Sequence, residues 1–176
     1  MKKIIIFFVV FIFLQCAKSD RQVVLVSKFD SFQAQLKSKL QTAIKEQGVV
    51  GAIAICKDAS PDLEKIMSDG MVVRRVSEKN RNPLHAPDMF EAETFAFWKK
   101  EIEQGRKPAL LAKDTPEGLR VMKPIFLQDG VCLKCHGEIS AIEPMVLKKI
   151  KEAYPDDKAT GYTAGDLRGA FSGILK

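Results

Sequence analysis

Few residues of this chain carry obvious chemistry, and they are concentrated. The 176 residues include four cysteines and two histidines. Two of those cysteines and one histidine fall in "GVCLKCHGE", residues 130–138, as Cys132, Cys135 and His136. Two thiols three apart, with an imidazole directly after, suit three chemistries. A thioredoxin-like dithiol needs C-x-x-C at a helix start in a βαβ setting, and it gives the histidine no task. A structural zinc site needs four ligands; adjacent Cys135 and His136 are awkward for one tetrahedral ion, and the usual second pair is missing. Covalent haem attachment uses every residue. The thiols add to the two porphyrin vinyls, and the histidine reaches the iron as proximal ligand. One such motif implies one haem c.

A single histidine leaves the other face of the iron open or held by a second side chain. The residues alone leave that place among Cys56, His85 and the methionines Met67, Met71, Met89, Met122 and Met145. Methionine is a common partner in electron-transfer cytochromes, but apolar methionines are ordinarily packing. His85 lies in the polar loop "RNPLHAP", where an exposed imidazole is the plain reading. Cys56 ends an apolar run, where an inert buried thiol is the plain reading. Arg74, Arg75 and Arg81 suit haem propionates, because guanidinium matches carboxylate. Charged residues on strands and loops are more often simply solvated.

The N-terminus bears on where such chemistry happens. "MKK" is followed by the apolar run "IIIFFVVFIFL" and then by Gln15 and Cys16. A positive start and an apolar stretch of this length predict an export signal over residues 1–15. The run is short of the ~20 apolar residues of a spanning helix. Cys16, in "FLQC", resembles the acceptor of a lipoprotein signal, although Gln15 is bulkier than the usual small residue there; the alternative is an ordinary signal or an uncleaved anchor. The expectation is therefore an exported, periplasmic protein tethered to a membrane through a lipid on Cys16. Haem c is attached outside the cytoplasm, which agrees. With Cys16 lipidated, three cysteines remain, an odd number that does not make a disulfide framework.

Composition is ordinary for one globular domain: 46% hydrophobic and 28% charged, with a formal net charge of +6. Acidic and basic residues are mixed along the chain, so nucleic-acid binding has little support. No Ser-His-Asp set, phosphate loop or helically paired carboxylates stand beside the motif. No enzyme activity is expected.

The elements that must position these residues follow from pattern. Phe29, Phe32, Leu36, Leu40 and Ile44 recur at helical spacing, predicting a core-facing helix over about 21–47 that Gly48 can end. "VVGAIAIC", residues 49–56, is too short for periodicity to decide between strand and buried helix. Ser60 as N-cap, Pro61 at the first helical position and Gly70 as stop predict a short helix. "MVVRRVS", 71–77, reads as a strand and 78–87 as a loop. A helix follows between Pro87–Asp88 and Gly105, with Phe90, Phe95, Trp98 and Ile102 as an aromatic face that suits the core and would also suit a haem edge. "PALLAK" and "GLRVMKPIFL", joined by "DTPEG", read as a β-hairpin. "SAIEPMVLKKIKEAY" reads as a helix ended by Pro155, and "LRGAFSGILK" as a last strand. The sum is an α+β domain over 48–176, with antiparallel strands and flanking helices, preceded over 16–47 by a tether and an N-terminal helix.

"VRRVSEKNRNPLHAPDMFE", "CLKCHG" and "YPDDKATGYTAGDLRGAFS", in that order, resemble a family of exported mono-haem c domains with a PAS-like α+β fold. The resemblance runs from about Gln22 to the C-terminus. It implies that His136 and Cys56, the latter closing "AIAIC", are the axial iron ligands. His85 stands where the family commonly has asparagine, which makes it a rival ligand or a surface substitution. A thiolate from Cys56 would lower the reduction potential. The expected function is low-potential electron transfer to a redox partner protein, or a redox response. The alternative is sensing of redox state or a diatomic gas through a separate partner.

Overall fold

The computed structural model describes the backbone of residues 2–128 and 130–176, and the side chains of residues 20–54, 56–128 and 130–176. The expectations for the leader's side chains and for lipidation of Cys16 lie outside the described residues. Among the described residues no helix is long and apolar enough to cross a membrane.

Helix α1 (Lys2–Met67) is broken once, at Gly48, whose φ of 71° and ψ of 178° are not helical. A side chain rarely tolerates that φ, so glycine is what lets the direction change there. The expected stop at Gly48 is therefore a break, after which a second helical segment begins at once. "VVGAIAIC" is helical. Ser60 is not an N-cap and Pro61 does not begin a helix; both lie inside α1. Local signals lost to packing here. Ala52, Ile53, Ala59, Leu63 and Met67 are all buried and form one continuous helical stripe through Pro61.

Strand β1 (Val72–Val76) follows a tight turn through Gly70. Helix α2 (Met89–Glu103) starts at a capping box in which Asp88 accepts from the Glu91 amide and Glu91 accepts from the Asp88 amide. β2 (Leu111–Thr115) and β3 (Gly118–Phe126) form the expected hairpin, with Thr115 opposite Gly118. Helix α3 (Leu133–His136) carries the motif. Helix α4 (Pro144–Ala153) starts four residues later than the sequence suggests, with Pro144 in its first turn, and ends before Tyr154 and Pro155. β4 (Leu167–Leu175) is the last strand.

The four strands make one antiparallel sheet in the order β1-β4-β3-β2. One face carries Val73, Leu119, Val121 and Phe171, which pack on Leu25, Phe29, Phe32, Leu63 and Met67 of α1. Phe171 stacks on Phe29 with ring centroids 5.7 Å apart and meets Phe32 at 5.3 Å. The other face carries Val76, Met122 and Ala170, which pack on Phe95 and Trp98 of α2. The fold is thus a PAS-like α+β arrangement, a sheet with a helix on each face. Gly173 of β4 lets α1 lie this close, because a Cβ there would meet Leu25 Cδ2 at 2.7 Å and Phe29 Cζ at 3.0 Å.

Candidate cofactor-binding cavity

The second segment of α1, the end of β1 with the loop after it, α3 and the start of β4 enclose a cavity. Its space, counted out to the mouth, is about 1220 Å³. Cys56, Cys132, Cys135 and His136 all line it. Leu36, Leu40 and Ile44 form an apolar wall of this cavity; of the three, Leu36 also packs on the core with Phe29 and Phe32, as expected.

Local geometry separates the tasks of the motif. Residues three apart on a helical turn share a face, so Cys132 and Cys135, at the start of α3 and within it, serve one side. His136 comes about 100° further round. Gly137 closes the turn, its amide donating to the Leu133 carbonyl at 2.9 Å. A Cβ on Gly137 would sit 2.6 Å from that same oxygen.

His136 Nδ1 lies 2.7 Å from the Ala159 carbonyl. A carbonyl only accepts, so Nδ1 carries the proton and Nε2 keeps its lone pair. Burial first, then the cations Arg168 and Arg81, push the His136 pKa well below 6.5. The ring is therefore neutral, as an iron ligand must be, and oriented by an outer hydrogen bond.

Arg81 ties the motif to the loop behind it. Its Nε and Nη2 grip the two Asp157 oxygens at 3.0 and 3.1 Å, and Nη2 also donates to the Cys135 carbonyl at 2.7 Å. Asp157 Oδ1 accepts from the Ala159 amide at 2.9 Å, which fixes the carbonyl that His136 uses. Burial raises the thiol pKa of Cys56 and of Cys135; for Cys56 the cations Arg75 and Arg81 oppose that shift.

The remaining candidates sort by place. Met67 is buried in the core under α1, and Met71 packs on that core. Met122 is buried under α2, and Met89 and Met145 are exposed. None of these five lines the cavity. His85 is not the solvated loop histidine its sequence suggests. It lines the cavity, its side chain is only 15% exposed, and Nε2 lies 3.0 Å from Glu64 Oε1. Glu64, which takes His85 Nε2, is eight residues beyond Cys56 on α1, about 12 Å along the axis. Arg74 is on the other sheet face, donating to the Leu84 and Ala86 carbonyls at 3.1 and 2.7 Å. Arg75 and Arg81 do line the cavity. The aromatic face of α2 lies across the sheet from it, and Ile102 is exposed.

Sequence reasoning missed Arg168, Tyr154, Glu64 and Asp157. Arg168 and Tyr154 line the cavity, and the other two hold residues that do. Nothing local marks them, because each meets the site only through chain far from it in sequence. The residues present fit a haem c: paired thiols, a neutral histidine with Nε2 free, a further thiol on α1, apolar walls and arginines. A bare metal ion has less to hold, since no three His, Cys, Asp or Glu side chains among the described residues group as a metal site.

The model of the Tll0287-like family matches residues 15–175. Among solved structures the chain is similar to the cyanobacterial heme-protein Tll0287, with a TM-score of 0.65 and 22% identity over 85% of this chain and 91% of that one. At that identity the likeness is one of fold. No curated protein matches the chain.

Proposed function

The chain belongs to the Tll0287-like family, and from that premise we propose that it is an exported mono-haem c protein that carries electrons or responds to redox state. The single observation that carries the proposal is the cavity, in which residues from α1 and α3, some eighty positions apart, come together. Cys132 and Cys135 would hold the porphyrin through thioethers. His136 would give Nε2 to the iron, its ring fixed through Nδ1 by Ala159. Cys56 would supply the second axial ligand. Haem c, when bound, supplies a one-electron iron couple.

The chain's own groups tune that couple. A thiolate at Cys56 holding the iron would donate charge, favour the oxidised state and lower the potential. Arg75 and Arg81 stabilise that thiolate against the burial that disfavours it. Leu36, Leu40 and Ile44 would give the group an apolar wall. If His136 and Cys56 both held the iron, no position on it would be left for catalysis. Export through the leader, a lipid on Cys16 and a separate redox partner protein complete the proposal.

One observation favours a second reading, a redox or gas sensor acting through a partner. Burial raises the Cys56 thiol pKa, so the group that would hold the iron from α1 is one whose anionic form the cavity disfavours, which suits a replaceable ligand.

The test is spectroscopic. The purified protein is expected to give the pyridine haemochrome of a two-thioether haem, and its ferric spectrum should be low-spin. Cys56→Ala should change that ferric spectrum and His85→Ala should not. An unchanged spectrum in Cys56→Ala would refute the thiolate ligand. CO or NO binding only after reduction favours the sensor; a one-electron couple indifferent to both gases favours the carrier. The mass of the mature N-terminus reports the lipid.

A further inference from the structure

We infer that Arg168 is a carboxylate clamp on the sheet wall of the cavity, whose Nε–Nη2 edge takes a propionate of the bound haem. This rests on the haem reading and deepens it.

Arg168 is the second residue of β4 and lines the cavity. Nη1 and one face of its guanidinium are already engaged. Nη1 donates to Ser77 Oγ at 2.8 Å and to the Lys79 carbonyl at 3.2 Å. The Tyr162 ring lies 5.4 Å from Cζ. The Nε–Nη2 edge remains. Nε is sealed from solvent and has no acceptor among the described residues. Leaving a buried donor unpaired costs about 1–3 kcal/mol, so a group held this firmly calls for an acceptor.

That edge is the one arginine uses to grip a carboxylate. Arg81 does so in the same cavity, with Nε on Oδ1 and Nη2 on Oδ2 of Asp157. The chain's nearby carboxylates are committed. Asp157 is held by Arg81 and the Ala159 amide. Glu64 is held by the Arg75 amide and His85. Burial, with some help from the cations Arg75 and Arg81, lowers the Arg168 pKa to about 10, and Tyr162 and Asp157 oppose the shift. Arg75, on the same cavity, has one long side-chain contact, 3.4 Å to Ser60 Oγ. The cavity therefore holds more cationic donors than acid acceptors. A porphyrin with ionised propionates corrects both deficits at once, and guanidinium is the side chain that meets a carboxylate with two parallel bonds. Arg74 and Arg81, the other candidates from sequence, have no such open edge facing the cavity.

The test uses the holoprotein with Arg168→Gln, Arg168→Lys and Ser77→Ala. The thioethers keep the haem in all three, so the pyridine haemochrome content should equal that of the native protein. Arg168→Gln removes a cation and leaves a propionate uncompensated. Its midpoint potential should fall, and should gain a pH-dependent segment near neutrality that the native protein lacks. Arg168→Lys keeps the charge without the fork and should lie between. Ser77→Ala removes an anchor of Nη1 and should shift the potential in the same direction as Arg168→Gln, by a smaller amount. Native potential and native pH dependence in both Arg168 variants would overturn the clamp, and if Arg168→Gln does not fold, Arg168→Lys alone decides. Absence of haem from the native protein would instead overturn the cofactor reading.

Discussion

Asp157→Ala removes a carboxylate that joins three parts of the site. Through it Arg81, the Ala159 amide and, one bond further, His136 are held in register. The Arg81–Asp157 pair is well buried, with side chains 14% and 8% exposed. An exposed pair would contribute at most about 1 kcal/mol. Stripping one partner from a buried pair costs about 3–5 kcal/mol, because the other charge stays behind without compensation. The residual exposure of Arg81 puts the expected loss at the low end, about 3 kcal/mol. In a chain of this size that lowers Tm by about 6–12 °C. Urea titration of Asp157→Ala, Arg81→Met and the double variant measures the loss and the coupling. The double variant should lose less than the sum of the singles, by about 1–3 kcal/mol. In the holoprotein, Asp157→Ala should also split the ferric spectrum into more than one species, since Ala159 no longer has a fixed place for the His136 Nδ1 proton. A loss below about 1 kcal/mol, or strict additivity, would refute the claim that this pair organises the motif.

Other consequences can be measured separately. Gly173→Val should destabilise by about 1–3 kcal/mol through forced displacement of α1 from the sheet, seen as a lower urea midpoint; a neutral result would mean that Leu25 and Phe29 repack freely. In protein made without haem, His136 binds a proton less readily folded than unfolded. Its contribution is complete above the unfolded pKa near 6.5 and is lost as pH falls from there through the lower folded pKa, at a slope approaching about 1.4 kcal/mol per pH unit. His136→Asn should flatten that part of the stability profile, and an unchanged profile would contradict the buried neutral ring. In the same haem-free protein Cys56 and Cys135 should alkylate more slowly than a free thiol at pH 8, because burial raises both; mass spectrometry of iodoacetamide-treated protein reads this, and rates equal to free cysteine would contradict it.

Some of this was legible one residue at a time. The C-x-x-C-H motif is local, two thiols and an imidazole within about one turn of chain. The hairpin, the helix capped by Asp88 and the last strand were local too, set by turn residues and alternation. The resemblance to a haem domain family pointed to Cys56 before any geometry. The misread elements were those in which local signals competed with packing. Ser60 and Pro61 have the chemistry of a helix start, yet a stripe from Ala52 to Met67 buries enough apolar surface to carry the helix through them. His85 reads as a loop residue until Glu64, far from it in sequence, takes its ring.

The sequence by itself determined where the thiols and the imidazole cluster and most element types, because motif spacing and turn formation are short-range. Only the tertiary structure decided which side chains share the cavity. β4 comes last in the chain but lies between β1 and β3, and this pairing brings Arg168 beside Ser77 and within reach of His136. Sheet order and the packing of α1 are settled by long-range burial and strand hydrogen bonding, which no local spacing encodes.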